Sequence, residues 1–268
     1  MKELIFVLLA LYGISTAGRS KHPDVKKLQG WSYAHRGLHN KEKGIPENSL
    51  AAFRAAVEGG FGAELDVHLL KDGTLAVFHD SNLKRITGKE GRIEDLTADD
   101  LRNYHLLGTE ETIPTFREVL EVFAGKTPLI IELKAVDGNH AQLCQAACDA
   151  MEGYEGLWCM ESFDPRCVNW LRKNRPEIIR GQLSENFLKT DKTMPLWLRF
   201  VLTNNMSHFL TAPDFVAYRF DHRNQTLGNY LSRKVWSMQG VSWTIRSKKD
   251  YDLAVQEGWI PIFENFIP

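Results

Sequence analysis

The architecture of this chain can be worked out from Glu64-Leu65-Asp66-Val67-His68-Leu69-Leu70-Lys71-Asp72-Gly73-Thr74-Leu75-Ala76-Val77-Phe78-His79-Asp80. Two apolar runs flank Asp72-Gly73, a pair that favours a tight hairpin because both residues tolerate the left-handed backbone such a turn needs. A two-residue loop makes Lys71 face Thr74, and following the ladder back puts Asp66 opposite His79. Opposed residues share a sheet face with Cβ atoms roughly 5 Å apart, and alternation adds Glu64 to that face. Two carboxylates and an imidazole on one surface are expensive unless they are paired or bind something.

Upstream, Trp31 to Arg36 reads as a first strand ended by Gly37. Asn48 then serves as the N-cap of a helix with Leu50, Phe53 and Val57 at helical spacing, stopped by Gly59-Gly60. Gly62 to Val67 is the second strand. Downstream, Leu83 to Leu107 is an excursion with a capping box at Thr97–Asp100, and Thr115–Glu118 is a second box opening a helix to about Phe123. From there strands near 130, 159, 180, 216, 242 and 262 alternate with helices, one of them capped by Asp164-Pro165. Eight βα units predict an α/β fold, a (β/α)₈ TIM barrel over residues 30–268 with a small insertion, about 68–112, after the second strand. An open doubly wound sheet would call for a Gly-rich phosphate loop, and the sequence offers none.

The chain has 268 residues, with Lys+Arg 33 against Asp+Glu 34, a balance that argues against a nucleic-acid partner. Lys2, the apolar run Leu4 to Ile14 and Ser15-Thr16-Ala17 read as an export signal over 1–17, placing the chain outside the cytoplasm. The alternative is an uncleaved short anchor, marginal as a span, giving membrane contact through the N-terminus. Pro195 to Leu202 fits either a lid touching lipid or a barrel helix. Cys144, Cys148, Cys159 and Cys167 have no zinc spacing and read as buried residues.

Catalytic groups of a barrel gather at the C-terminal ends of its strands. Those ends carry His35-Arg36, Glu64 with Asp66, Glu132 with Lys134, Glu161-Ser162, Arg219, Trp243 and Glu264-Asn265. Glu64, Asp66 and Glu132 offer only oxygen ligands, which suit a divalent cation such as Ca²⁺ or Mg²⁺ rather than zinc. Arg36 and Lys134 can clamp a phosphate. His35 and His79 can exchange protons near neutral pH, with Asp80 either orienting His79 or capping a turn. Metal, two cations and two histidines describe phosphodiester cleavage.

Seven motifs in order, His35-Arg36-Gly37, Pro46-Glu47-Asn48-Ser49, Glu64-Leu65-Asp66-Val67, Lys71-Asp72-Gly73, His79-Asp80, Arg85-x-Thr87-Gly88 and Glu132-Leu133-Lys134, resemble the glycerophosphodiester phosphodiesterase family. The resemblance implies a barrel with this insertion and a divalent metal on Glu64, Asp66 and Glu132. It also implies catalytic His35 and His79, and phosphate contacts from Arg36 and Lys134. The substrate would be a small glycerophosphodiester or a lipid-derived molecule, cleaved to glycerol 3-phosphate and an alcohol through attack by its own glycerol hydroxyl. A phospholipase D-type lyase or hydrolase acting on lysophospholipids is the alternative. Trp243-Thr244 matches the family's Trp-Thr, whose ring packs on the glycerol carbons. The chain departs from the pattern at Phe263-Glu264-Asn265, where the family commonly has Thr-Asp and a following Pro. The departure is expected to leave the catalytic set intact and to leave the alcohol end of the substrate open.

Overall fold

The structure, a computed structural model, describes residues 2–19 and 22–268. Among these, nine strands form one sheet: β1 (Tyr33–His35), β2 (Gly62–Leu69), β3 (Leu75–Val77), β4 (Leu129–Leu133), β5 (Trp158–Ser162), β6 (Arg180–Ser184), β7 (Phe215–Arg219), β8 (Gln239–Ile245) and β9 (Trp259–Phe263). All but β3 run parallel, and β1 pairs with both β2 and β9, so the eight parallel strands close into a barrel. Helices such as Leu50–Glu58, His140–Ala150, Pro165–Asn174 and Lys248–Gln256 connect the strands. This is the TIM barrel expected from the sequence.

Strand alternation decides what points where. Along β4, Leu129, Ile131 and Leu133 pack outward against Phe123, Leu143 and Ala147, while Ile130 sits inside with Cys159, Phe215 and Val241. Glu132, two residues beyond Ile130, is therefore on the inner side at the strand's C-terminal end. Gly181 leaves room for the ring of Phe215; a Cβ there would lie 2.1 Å from it. Val25 and Leu28 join the inner core from the segment that precedes β1. The four cysteines are buried and unbridged.

Between β2 and the helix Phe116–Phe123, the chain builds a core of its own from Leu70, Phe78, Leu83, Ile86, Ile93 and Leu101. The hairpin that starts this segment differs from the expected one. Val67 pairs with Val77 and Leu69 with Leu75, and the Gly73 N–H donates to Leu70 O at 3.0 Å, so the loop is Lys71-Asp72-Gly73 with Gly73 at φ +86°. A three-residue loop with glycine in the left-handed position is the next hairpin type in frequency after the two-residue turn. It shifts the register by one, so that the Phe78 N–H, not the His79 N–H, bonds to Asp66 O. His79 reaches the site because the chain leaves strand geometry after Val77.

A second difference lies at the first barrel helix. Ser49 is the N-cap, its hydroxyl accepting from the Ala52 N–H at 3.1 Å. Asn48, expected in that role, has φ +54° and turns its side chain toward β2.

Candidate active site

Parallel register assembles the site. Asp66 on β2 lies beside Glu132 on β4, Glu132 beside Glu161 on β5, and Glu64 beside His35 on β1. Ligand oxygens of Glu64, Asp66 and Glu132 all fall within 4.8 Å of one another, and the three residues are 3%, 1% and 6% exposed. Burial, then the neighbouring acids, push Glu64 well above the usual carboxylate range, and burial also raises Glu132. Burial would raise Asp66 too, but Lys134, His79 and Arg36 hold it well below. A buried trio of oxygen donors whose charges repel one another fits a hard divalent cation.

The cations lie on these acids. Lys134 Nζ is 3.0 Å from Asp66 Oδ1 and 2.7 Å from Glu132 Oε1. Arg36 has a left-handed backbone, φ 56°, that turns the chain at the end of β1 and directs its N–H to Glu64 Oε2 at 3.2 Å. Such a conformation in a non-glycine residue persists only where neighbours hold it. Asn48 is one of them: its N–H donates to Arg36 O and its Nδ2 to Asp66 Oδ2 at 2.8 Å. The Arg36 guanidinium also donates to Glu47 at 2.7 Å.

Each histidine has a carboxylate behind it. His35 Nδ1 donates to Glu264 Oε2 at 2.6 Å, leaving Nε2 3.8 Å from Glu64 Oε2. Burial pushes His35 down to about 4, against the opposing pull of Glu264. Burial would raise Glu264, yet the bond from His35, then His39 and Arg246, hold it far below the usual range. His79 Nδ1 donates to Asp80 at 2.6 Å, so Asp80 orients it. Arg85 ties Asp80 to Glu47, which joins the insertion to the Arg36 side of the barrel. His68, buried, bridges Glu94 and the His79 carbonyl.

A cleft of about 230 Å³ opens here, lined by His79, Glu132, Lys134, Ser162, Phe163 and Asp164. Trp243 is half-buried at this rim, its ring edge-on to Phe163 at 5.5 Å. The residues singled out from the sequence thus come together at one end of the barrel. Asn48 and Glu264 were missed as partners of the site. The departure at Glu264 places a carboxylate against His35.

Glu161 is buried, with Oε2 unpartnered, and burial followed by Glu132 pushes it well above the carboxylate range. A raised acid binds its proton more tightly when folded, so its contribution to stability is lost as pH rises above the ordinary carboxylate value toward the raised one. In that window the loss is about 1.4 kcal/mol per pH unit. Melting of metal-free Glu161→Gln across pH is expected to show a smaller loss of stability than the parent as pH rises above the ordinary carboxylate value; equal slopes would mean that Glu161 does not titrate there.

The model of the Glycerophosphoryl diester phosphodiesterase family matches residues 35–267. A glycerophosphodiester phosphodiesterase of Caldanaerobacter subterraneus is 42% identical over 160 residues, covering 56% of this chain and 65% of that protein, just under two thirds of its length. The YhdW protein of Bacillus subtilis is 38% identical over 227 residues, 81% of this chain and 86% of its own. Among solved structures, an Oleispira antarctica phosphodiesterase in complex with the product sn-glycerol-3-phosphate superposes with a TM-score of 0.71 at 23% identity, covering 87% and 92% of the two chains. That likeness bears on the fold.

Proposed function

The chain belongs to the glycerophosphoryl diester phosphodiesterase family, and from that premise we propose that it hydrolyses glycerophosphodiesters to glycerol 3-phosphate and an alcohol. The observation that carries this reading is the pairing of two carboxylate-backed histidines, His35 and His79, around a buried acidic trio edged by Arg36 and Lys134.

Glu64, Asp66 and Glu132 would hold a divalent cation, which would neutralise charge building on the phosphoryl group. Arg36 and Lys134 add positive charge fixed beside the same oxygens. His35 is neutral at pH 7 because burial disfavours its charged form, and its Nδ1–H is committed to Glu264. Its Nε2 lone pair is therefore the base that takes the proton from the attacking glycerol hydroxyl. His79, held through Nδ1 by Asp80, gives the proton from Nε2 to the departing alcohol oxygen. Water, with the two roles reversed, then opens the cyclic phosphodiester to glycerol 3-phosphate. Trp243 and Phe163 offer an apolar wall for the glycerol carbons.

Turnover of glycerophosphocholine, read as glycerol 3-phosphate release, tests the reading. Release of choline phosphate, or no release across several glycerophosphodiesters with Ca²⁺ or Mg²⁺ present, would sink it.

A further inference from the structure

Beyond the catalytic rim, we propose that the helix Lys2–Ser15 is a retained anchor dipping into one leaflet, and that the surface gripping its root rests on a lipid bilayer. The helix is apolar on every side from Leu4 to Leu11, and none of its described residues is buried. A helix apolar all round belongs in a core or in a membrane. Fourteen residues reach about 21 Å, short of a hydrocarbon layer of about 30 Å. No helix among the described residues is long and apolar enough to cross a membrane. Lys2, near the tip, can return to the head groups on its long stem.

The root of this helix is part of the fold. Tyr12 donates to Asn204 at 2.8 Å, and Trp236 Nε1 donates to Gly13 O at 2.9 Å. Thr16 is fully buried; its carbonyl accepts from Ser232 Oγ at 3.0 Å and from His208 Nδ1 at 3.2 Å. Cleavage after Ala17 would remove every one of these groups and leave buried donors on Ser232 and His208 without them, a cost of about 1–3 kcal/mol for each. The export-signal reading treated Ser15-Thr16-Ala17 as a site to be cut, whereas here it is a docked segment.

The segments that hold the root are themselves apolar outward. Leu196, Trp197 and Phe200 on Leu196–Thr203, Phe209 on His208–Thr211, and Leu227 and Tyr230 on Leu227–Tyr230 are each 47% exposed or more, Trp197 67%. Apolar groups clustered round an apolar projection mark an interaction surface, and Trp and Tyr suit the head-group boundary of a bilayer because one end is apolar and the other polar. A projecting apolar helix held by segments that expose further apolar and aromatic side chains fits a lipid surface.

The test is flotation of the full chain with phosphatidylcholine–phosphatidylglycerol vesicles, beside the intact mass of protein recovered from membranes. Wild type is expected to float and to retain residues before Tyr12. Trp197→Glu and Phe209→Glu, each at an exposed position outside the catalytic machinery, are expected to weaken vesicle binding about tenfold while turnover of soluble glycerophosphocholine and melting stay as in the parent. A mature start at Gly18, flotation untouched by both substitutions, or a wild type that ignores vesicles and self-associates would each overturn the proposal. None of these outcomes depends on whether the barrel hydrolyses its substrate.

Discussion

His35→Ala is expected to lower kcat/KM on glycerophosphocholine by about 10²- to 10⁴-fold, with little change in melting temperature. Burial keeps the His35 imidazole neutral, and a base must be neutral to act. The sign of the pH dependence follows. Protonation removes the base, so activity is lost as pH falls through about 4, well below the region where a free imidazole titrates. Glu264→Gln keeps the shape but removes the anion behind Nδ1. Burial is then opposed only by the weaker pull of Asp66, His35 becomes a weaker base, and kcat falls while the acid limb moves to lower pH. A purely structural role for Glu264 would lower stability without moving that limb. His79→Ala should cost as much with glycerophosphocholine, but far less with a p-nitrophenyl ester whose leaving group needs no proton. Near-normal turnover of glycerophosphocholine by either alanine variant would overturn the mechanism.

Excess chelator is expected to abolish turnover and to lower the melting temperature, and Ca²⁺ or Mg²⁺ to restore both. The stability arm follows from the same carboxylates: Glu64 and Glu132 are held above their usual range by burial, and ionised together they repel. A bound cation relieves that repulsion only in the folded protein. At about a hundredfold excess over Kd the linkage is worth about 2.7 kcal/mol, several degrees in Tm. Glu132→Gln should reduce the metal-induced shift along with activity. Full activity in excess chelator would exclude the metal.

The barrel was legible because burial on both faces leaves plain traces, as in the unbroken apolar run Leu129–Ile131. The acidic trio was legible because each carboxylate follows an apolar strand segment. The misreadings have physical causes. Asn48 and Ser49 are both good cap residues, and only the left-handed turn at Asn48 decides that Ser49 caps and Asn48 binds Asp66. Lys71-Asp72-Gly73 satisfies a two- or a three-residue loop equally well from composition, and the difference moves His79 off the ladder. A closed barrel puts β9 beside β1, but only packing across that seam settles which rim side chain is met by Glu264. Its sole signal in the sequence was its place after the last apolar strand.

That neighbourhood also governs timing. His35 stands at the end of the first strand and Glu264 just after the last, 229 residues apart. The acidic trio is complete once β4 has formed, yet the base has no support until the closing strand is laid against the opening one. The carboxylates thus come from the first half of the chain, whereas the group that supports the base comes from its last few residues. The short bond across the seam therefore ties the support of the base to closure of the ring.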